Sequence, residues 1–295
     1  MTSVAKVSVA LASYNGEKYL REQLDSILTQ SYPIYELIIV DDCSCDSTSQ
    51  ILHHYAAQYP QIHLEFNPHN LGVVKTFERA LQLCRGELIA LADQDDYWSN
   101  DKIAKLVNAL GDSLLIHSDI LVVDEALQPL QEGQFTHKRL TRGLYVDYLL
   151  FNDVTGCTLL MKRELLDLVL PIPDGVYMHD HYLALIAAFY KRISYLDAPL
   201  VKYRQHSSNV VGAKATNQKN HHQLHAQHYL RSLEVIRHLP MFKHEANITY
   251  AIEYHKAIVE RKLAKYNIYI WCYRHFGVVQ VIRFIRQCIK VMIES

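Results

Sequence analysis

The chain has 295 residues, of which 49% are hydrophobic and 21% are charged, and its formal net charge is −1. These values are typical of a globular protein with one large domain or two small ones. The near-neutral charge argues against a nucleic-acid partner bound through its phosphates, and the six cysteines contain no Cys-x-x-Cys zinc motif.

The chain starts with residues 1–6, which lack the apolar core of a signal peptide. No apolar run in the sequence is long enough to span a bilayer. We therefore expect a cytoplasmic protein with reduced cysteines.

Strands and helices alternate through the first third of the chain. Strands are predicted at residues 7–12, 36–40, 62–66 and 88–92, and helices at about 18–30, 47–59, 74–84 and 101–110. This alternation indicates right-handed βαβ units and a mostly parallel sheet with flanking helices.

Polar residues follow three of these strands: Ser13-Tyr14, Asp41-Asp42 and the segment 93–96. The carboxyl ends of parallel strands are where ligands bind in such sheets. The three carboxylates of segment 93–96 repel one another, which favours a hard divalent cation. The alternative is an acidic loop that caps the helix beginning near Asp101.

The middle of the chain continues the α/β pattern. Strands are predicted at residues 114–123 and 154–161, and a helix at 182–189 follows Asp180. Residues 217–228 are polar and rich in histidine, which predicts a linker. Helices are then expected at 229–238, 246–266 and 278–293, so we divide the chain into an α/β domain, 1–212, with halves at about 1–105 and 106–212, and a helical extension, 213–295.

The last predicted helix has one apolar stripe with basic residues beside it. The stripe consists of Val278, Val281, Ile282, Ile285, Ile289 and Met292. It packs either against the rest of the protein or on an anionic membrane surface.

Two other classes of nucleotide-binding enzyme fit poorly. The glycine-rich dinucleotide fingerprint is absent from the first strand–helix turn, which argues against a Rossmann dehydrogenase. A sugar nucleotidyltransferase should carry a glycine-rich, basic loop near its N-terminus, and residues 13–17 do not provide one.

Three segments, residues 7–15, 39–48 and 92–96, have the composition, order and spacing of known motifs. Together they resemble the family 2 glycosyltransferases, which have the GT-A fold, and the resemblance extends from about residue 7 to residue 212. Cys43 and Cys45 depart from it, because the family more often has Gly and Thr there.

The resemblance implies a role for each rim residue. Ser13, Tyr14 and Asp42 would bind the nucleotide, with the tyrosine ring stacked on the base and the Asp42 carboxylate accepting its N3 hydrogen. Asp93 would hold the ribose, and Asp95 would bind a divalent metal, Mn²⁺ or Mg²⁺. The alternative for Tyr14 is a loop aromatic packed against its neighbours.

The family also carries an acidic general base at a helix start, which here corresponds to Asp180. A carboxylate suits the deprotonation of an acceptor hydroxyl, although Asp is also a common helix cap. Gly156 and Asp96 are the candidates for contact with the donor sugar. For Gly156 a structural role in a bulge or helix cap is the alternative.

A Tyr-Arg-x-His-x-x-Asn run at residues 203–209 is similar to that of bacterial rhamnosyltransferases. It implies His206 as a further metal ligand and Arg204 as a contact for the diphosphate, with dTDP-L-rhamnose as the donor. A surface histidine without a ligand role is the alternative for His206.

The resemblance therefore implies an inverting, metal-dependent glycosyltransferase. It would use a nucleotide-diphosphate sugar and a saccharide or lipid-linked acceptor in bacterial O-antigen or capsule synthesis, with peripheral attachment to the inner membrane face as one location. A UDP-hexose-dependent enzyme of the same fold and a non-catalytic GT-A binding domain are the alternatives.

Overall fold

The computed structural model describes residues 4–130, 143–206, 221–260 and 266–293. The chain forms two compact units. The first comprises Met1–Tyr148, Asn152–Ile172 and Met178–Val210, and the second comprises Leu149–Phe151, Pro173–Tyr177 and Val211–Ser295. The predicted domain boundary between residues 212 and 213 falls outside the described residues.

The first unit contains one eight-stranded sheet. Its strands are β1 Val7–Ser13, β2 Ile34–Asp41, β3 Ile62–Phe66, β4 Leu88–Ala92, β5 Tyr97–Trp98, β6 Leu115–Val123, β7 Leu159–Lys162 and β8 Ile193–Arg204. Their order across the sheet is β3-β2-β1-β4-β7-β6-β8-β5. β5 and β7 run antiparallel to their neighbours and the other six strands share one direction, which confirms the prediction of a mostly parallel sheet.

Helices accompany the sheet along the chain. They are α1 Leu20–Leu28, α2 Thr48–Gln58, α3 Val73–Leu83, α4 Lys102–Leu110, α5 Tyr145–Tyr148, α6 Leu166–Val169 and α7 His179–Phe189. In α1 the spacing of Leu20, Leu24 and Ile27 places all three in the core, completely buried. Full burial of such a side chain stabilises the fold by about 1.5–3 kcal/mol, and this apolar face fixes α1 against the sheet.

The strand β8 is absent from the sequence-based prediction. It contains Pro199, which lacks an N–H for the ladder and is disfavoured inside a strand. Its pairing with β6 shifts register at that point, since Ser118 pairs with Leu196 but Asp119 pairs with Pro199. The two-residue β5 is also absent from the prediction. The strand predicted at 154–161 begins later, because residues Gly156–Thr158 form a 3-10 turn before β7.

The second unit contains α8 His221–Ile236, α9 Ala246–Val259 and α10 Tyr266–Ile293. Residues 221–228, predicted as linker, are helical, whereas residues 217–220 lie outside the described chain. α9 ends at Val259 instead of Tyr266, and α10 begins earlier than predicted, with a kink at Gly277 where φ is 77°. Among the described helices, none combines the length and apolar character that a bilayer span requires.

The sheet direction determines where the polar residues lie. Ser13, Asp41 and Arg204 are the last residues of β1, β2 and β8, and Asp93 follows β4 directly. Because these four strands run the same way, their carboxyl ends lie at one edge of the sheet.

Candidate active site

The ends of β1 and β2 are joined through the Asp41 carboxylate. It accepts hydrogen bonds from the Ser13 hydroxyl at 2.9 Å, the Ser44 hydroxyl at 2.6 Å and the Ser44 amide at 2.8 Å. Ser13 is buried, so its hydroxyl supports the loop after β2. A contact between Ser13 and the nucleotide stays a prediction.

Asp42 organises the loop that follows β3. Its side chain is 4% exposed and accepts hydrogen bonds from the Asn67 side chain at 2.7 Å and from the amides of Leu71 at 2.8 Å and Gly72 at 2.9 Å. At Gly72 φ is 83°, a conformation that glycine adopts without strain. A carboxylate has about four acceptor positions, so three protein hydrogen bonds leave capacity for one from a ligand.

Tyr14 projects from the loop after β1 with 47% of its surface exposed. This placement differs from the alternative of a packed loop aromatic and leaves a ring face available to a ligand. The backbone beneath the ring is fixed, because the Tyr14 amide donates to Gln94 Oε1 at 2.8 Å and Gln94 Nε2 donates to the Tyr14 carbonyl at 2.9 Å.

Acidic groups crowd the end of β4. Oxygens of Asp93 and Asp96 and the sulfur of Cys157 all lie within 4.8 Å of one another. Burial, together with neighbouring carboxylates, raises the pKa of Asp93 well above its ordinary value and raises the pKa of Asp96 to about 7. Negative charge on these two groups is therefore disfavoured, and a bound cation would offset that cost.

A buried lysine lies beside this cluster. The Lys102 Nζ is 3.1 Å from the centroid of the Trp98 ring, and it has no hydrogen-bond partner among the described residues. Burial lowers its pKa to about 7, although Cys157, Asp96 and Asp93 favour its charged form. In its protonated form the lysine would offset part of the negative charge of the cluster.

Asp95 and His206 meet, although 111 positions separate them. The Asp95 Oδ2 atom lies 2.8 Å from the His206 Nε2 atom, and both side chains are mostly buried. Neighbouring ligands of an octahedral ion lie about 3 Å apart when each is about 2.1 Å from the metal. The pair therefore fits the donor set of a divalent metal such as manganese, which accepts both carboxylate and imidazole ligands.

Arg204 lies inside the protein. Its backbone amide donates to Asp96 Oδ1 at 3.1 Å and its Nε to the Asp95 carbonyl at 2.8 Å. The two terminal nitrogens donate to the Glu125 carbonyl and the Glu22 carboxylate. The guanidinium thus fixes the backbone of the acidic segment, and a contact with a diphosphate stays a prediction.

Replacing Arg204 with lysine tests this placement. We expect the free energy of unfolding to fall by about 1–3 kcal/mol, because one ammonium group cannot reach three diverging acceptors and leaves a partly buried carbonyl unpaired. Urea unfolding measures this loss. The matched control is Arg192→Lys in an exposed ion pair with Glu164, which should change stability by less than about 1 kcal/mol. Normal stability with lost donor binding would instead favour the diphosphate role.

Asp180 lies in the first turn of α7 with 7% of its surface exposed. Its Oδ2 accepts from the Gly156 amide at 3.1 Å and its Oδ1 from the His181 amide at 2.5 Å. The cap position of α7 is occupied by Met178, so the alternative that Asp180 is the N-cap is wrong. Burial raises the Asp180 pKa to about 6, which leaves a carboxylate that is ionised at neutral pH and able to accept a proton.

Gly156 lies directly against the start of α7. A Cβ atom at this position would be 3.1 Å from His179 Nε2 and 3.7 Å from Asp180 Cβ. The His179 ring stacks on Phe77 with 4.0 Å between centroids, and neither ring nitrogen has a hydrogen-bond partner among the described residues. Glycine therefore allows the close packing that positions Asp180, and contact with the donor sugar stays a prediction.

Several residues of the site were not identified from the sequence. These residues are Gln94, Lys102 and Cys157. The partners of Gln94 and Cys157 are distant in sequence, and the sequence has no feature that marks Lys102 as buried. Only the role of Gln94 could have been suspected from the sequence, because an amide side chain between two aspartates at the end of a strand can bond a neighbouring loop.

A family model described as "Glycosyl transferase family 2" matches residues 8–170. An uncharacterised protein of Mycobacterium tuberculosis is 32% identical over 225 residues, covering 72% of this chain and 62% of its own length. The "putative teichuronic acid biosynthesis glycosyltransferase TuaG" of Bacillus subtilis is 33% identical over 159 residues, covering 54% of this chain and 62% of TuaG. This chain thus matches about three fifths of the length of these relatives.

A third relative and two solved structures are also similar. The "dTDP-rhamnosyl transferase RfbG" of Shigella flexneri is 29% identical over 218 residues, covering 69% of this chain and 74% of RfbG. Residues 1–349 of S. aureus TarS, in complex with UDP-GlcNAc, align with a TM-score of 0.61 at 19% identity over 97% of this chain and 81% of that one. The mannosyltransferase PcManGT of Pyrobaculum calidifontis, with GDP-Man and Mn²⁺, aligns with a TM-score of 0.59 at 20% identity over 99% and 87%.

The family model covers more than half of the chain, and the structural alignments confirm the predicted GT-A fold. The chain belongs to glycosyl transferase family 2.

Proposed function

We propose that this protein is an inverting, metal-dependent glycosyltransferase that transfers a sugar from a nucleotide-diphosphate donor to a saccharide or lipid-linked acceptor. One observation carries the proposal. The carboxylates of Asp93, Asp95 and Asp96 lie at the edge of the sheet that also presents Tyr14, and Asp180 is close enough to Asp93 to raise its pKa. This arrangement supports the proposal, because a ring that would bind the base, carboxylates that would bind a cation and a group that would accept a proton all lie at this edge.

The nucleotide would lie along the ends of β1, β2 and β4. The exposed Tyr14 ring offers a face for the base, and stacking on an aromatic ring favours any planar base. Asp42 has one acceptor position left for the N3 hydrogen of a pyrimidine. Asp93, which follows β4, would accept a hydrogen bond from a ribose hydroxyl.

The metal would be held by Asp95 and His206, with Asp93 and Asp96 as nearby carboxylates. A divalent ion bound there supplies positive charge to the departing diphosphate. The protein would hold these ligands in place. Arg204 contributes to this, because its Nε donates to the Asp95 carbonyl and its backbone amide donates to the Asp96 carboxylate.

Asp180 would perform the proton transfer. Its carboxylate takes the proton of the acceptor hydroxyl, while the hydroxyl oxygen bonds to the anomeric carbon and the bond from that carbon to the diphosphate breaks. A single displacement of this kind inverts the anomeric configuration. The hydrogen bonds from Gly156 and His181 hold the carboxylate in one orientation, and this supports an oriented base rather than a mobile surface group.

The donor we favour is dTDP-L-rhamnose, because the run at residues 203–209 is similar to that of rhamnosyltransferases and RfbG is named a dTDP-rhamnosyl transferase. UDP-hexoses are the alternative, since TarS was solved with UDP-GlcNAc. The names of RfbG and TuaG support a place in bacterial surface polysaccharide synthesis. A non-catalytic binding domain is disfavoured by the complete set of carboxylates at the site.

Release of nucleoside diphosphate tests the proposal. The protein is incubated with Mn²⁺ and a panel of dTDP-, UDP- and GDP-sugars, and the liberated nucleoside diphosphate is measured with and without candidate acceptors. Release from at least one donor is expected, fastest with dTDP-L-rhamnose. Binding of a donor with no release under any condition would favour the non-catalytic alternative.

A lipid-linked acceptor would require contact with a membrane, for which α10 of the second unit is the candidate. Ile282 on this helix is 44% exposed, and the side chains of Tyr273 and Arg274 are exposed as well. Exposed apolar, aromatic and basic side chains on either side of the kink at Gly277 are the kinds of group that bind an anionic bilayer surface. We therefore propose peripheral binding to the inner face of the membrane.

Vesicle flotation tests this contact. The protein should float with anionic vesicles at low salt, and Ile282→Asp should reduce the bound fraction several-fold because a carboxylate opposes both burial and an anionic surface. Leu83→Asp, at a similarly exposed apolar residue of the first unit, is the matched control and should float normally. If the unmodified protein ignores anionic vesicles at low salt, the membrane proposal fails.

A further inference from the structure

Gln94 lies between two of the predicted donor-binding carboxylates, Asp93 and Asp95, yet its side chain is directed to a different loop. Its amide makes two hydrogen bonds to one residue, accepting from the Tyr14 amide at 2.8 Å and donating to the Tyr14 carbonyl at 2.9 Å. Both backbone polar groups of Tyr14 are thus bound by a residue 80 positions away. The loop after β1 is thereby tied to the loop after β4.

Gly16 provides the space for this contact. A Cβ atom on Gly16 would lie 2.3 Å from Gln94 Oε1 and 2.7 Å from its Cδ, which is closer than nonbonded atoms approach. The backbone of Gly16 is held independently, because its amide donates to the Thr48 hydroxyl at 2.8 Å. A side chain here would meet the end of the flexible Gln94 side chain and would therefore displace the Gln94 amide.

The loop after β1 also makes hydrogen bonds to a second loop. The Asn15 amide donates to the Ser44 hydroxyl at 2.8 Å, and the Asn15 side chain accepts from the Cys45 amide at 2.9 Å. These bonds join the loop after β1 to the loop after β2, whereas the two bonds of Gln94 join it to the loop after β4. Within the described part of the chain, the Gln94 side chain is therefore the hydrogen-bonded link between Tyr14 and the acidic segment.

We propose that Gln94 is a positioning residue that fixes the distance between the base-binding ring of Tyr14 and the carboxylates on either side of Gln94. The inference rests on the proposed function, since it takes Tyr14 as the contact of the base and Asp95 as a ligand of the metal. A nucleoside diphosphate has its base and its phosphates at opposite ends of one molecule. A protein that holds both binding groups at the right separation loses less freedom when the ligand binds, and the affinity rises accordingly.

The test measures the binding of two probes in the presence of Mn²⁺, by calorimetry on the full chain. One probe is dTDP or UDP, which has both a base and a diphosphate, and the other is inorganic diphosphate, which has no base. Gln94→Ala should weaken binding of the nucleoside diphosphate about tenfold or more, since two hydrogen bonds that position its base contact are lost. Binding of inorganic diphosphate should change by less than about twofold.

Gly16→Ala provides the second variant, because its methyl group would displace the Gln94 amide. It should reproduce the loss of nucleoside diphosphate affinity, and the double variant should bind no more weakly than Gln94→Ala alone, since both changes remove the same contact. The matched control is Gln50→Ala, an exposed glutamine of α2, which should bind both probes like the unmodified protein. Urea unfolding confirms that each variant is folded.

Three outcomes would overturn the inference alone: normal nucleoside diphosphate binding by Gln94→Ala, an equal loss for both probes, or independent losses that multiply in the double variant. An equal loss would mean that Gln94 acts on the carboxylates rather than on Tyr14. If the unmodified protein binds inorganic diphosphate but no nucleoside diphosphate, the proposed function fails first and the inference fails with it.

Discussion

Asp180→Asn is expected to lower turnover by at least two orders of magnitude while donor affinity stays nearly unchanged. An asparagine side chain has a similar size but cannot accept a proton at neutral pH, and general-base catalysis is typically worth about 10²–10⁴-fold. The kcat and the KM for the donor are measured separately, and only kcat should fall. Because the pKa of Asp180 is raised to about 6, activity of the unmodified enzyme should rise with pH through about 6 and then level off as the carboxylate becomes ionised.

The same change also has a structural cost. Each carboxylate oxygen of Asp180 accepts one backbone amide, from Gly156 and from His181. Asparagine has one acceptor oxygen, so its NH₂ group would face one of these donors, and an unpaired buried group costs about 1–3 kcal/mol. This exceeds the few tenths expected if Asp180 were a helix cap. Asp147→Asn, at a buried carboxylate in the first turn of α5, controls for such a loss without touching the site.

Retention of more than about a tenth of wild-type turnover by Asp180→Asn would contradict the base assignment, because the smallest loss in the usual range is larger. Asp153, Asp174, His179 and His181 would then be considered. His181 bonds the Tyr148 carbonyl at 2.6 Å, and burial lowers the pKa of His179 to about 3. Both histidines are thereby disfavoured, so Asp153 and Asp174 would be tested first.

The second large effect is expected for Asp95→Ala. This change removes a carboxylate proposed to bind the metal and takes away the partner of His206. Turnover should fall by about 100-fold or more, which is typical when a group that stabilises transition-state charge is lost. Nucleotide affinity should also cease to depend on added Mn²⁺. Both quantities are measured with and without metal, and urea unfolding shows that the fold is retained.

Asp101→Ala serves as the matched control for Asp95. This carboxylate lies in the same acidic stretch but pairs with Lys105 at the start of α4, and its removal should leave the metal dependence intact. Full activity of the unmodified protein in EDTA would contradict the metal assignment regardless of the variants.

The sheet and its ligand-binding edge follow from the sequence because they depend on local patterns. The strands β1, β2 and β4 are short apolar runs that end in polar residues, and each is almost wholly buried. A buried strand must be apolar along its length, so the first polar residues after an apolar run mark the end of the strand in the sequence. The same reasoning fails at β8, whose residues are mostly half-exposed and include a proline.

The contacts that complete the site could not be predicted in this way. Gln94 bonds a residue 80 positions away and Arg204 bonds one 182 positions away, and no spacing rule connects such pairs. The sequence implies only a diphosphate contact for Arg204 and does not indicate that its side chain is buried. Its buried position depends on Glu22 and Glu125, which the fold brings to the same place.

The central claim is that this sheet edge binds a nucleotide-diphosphate sugar together with a divalent metal. Thermal unfolding of the protein with Mn²⁺ and each of a panel of nucleotide sugars tests it most directly. A donor present at about 100 times its Kd should raise the free energy of unfolding by about 2.7 kcal/mol, and this stabilisation should disappear in EDTA and in Asp95→Ala. An unchanged melting temperature with every nucleotide sugar and Mn²⁺ would contradict the claim.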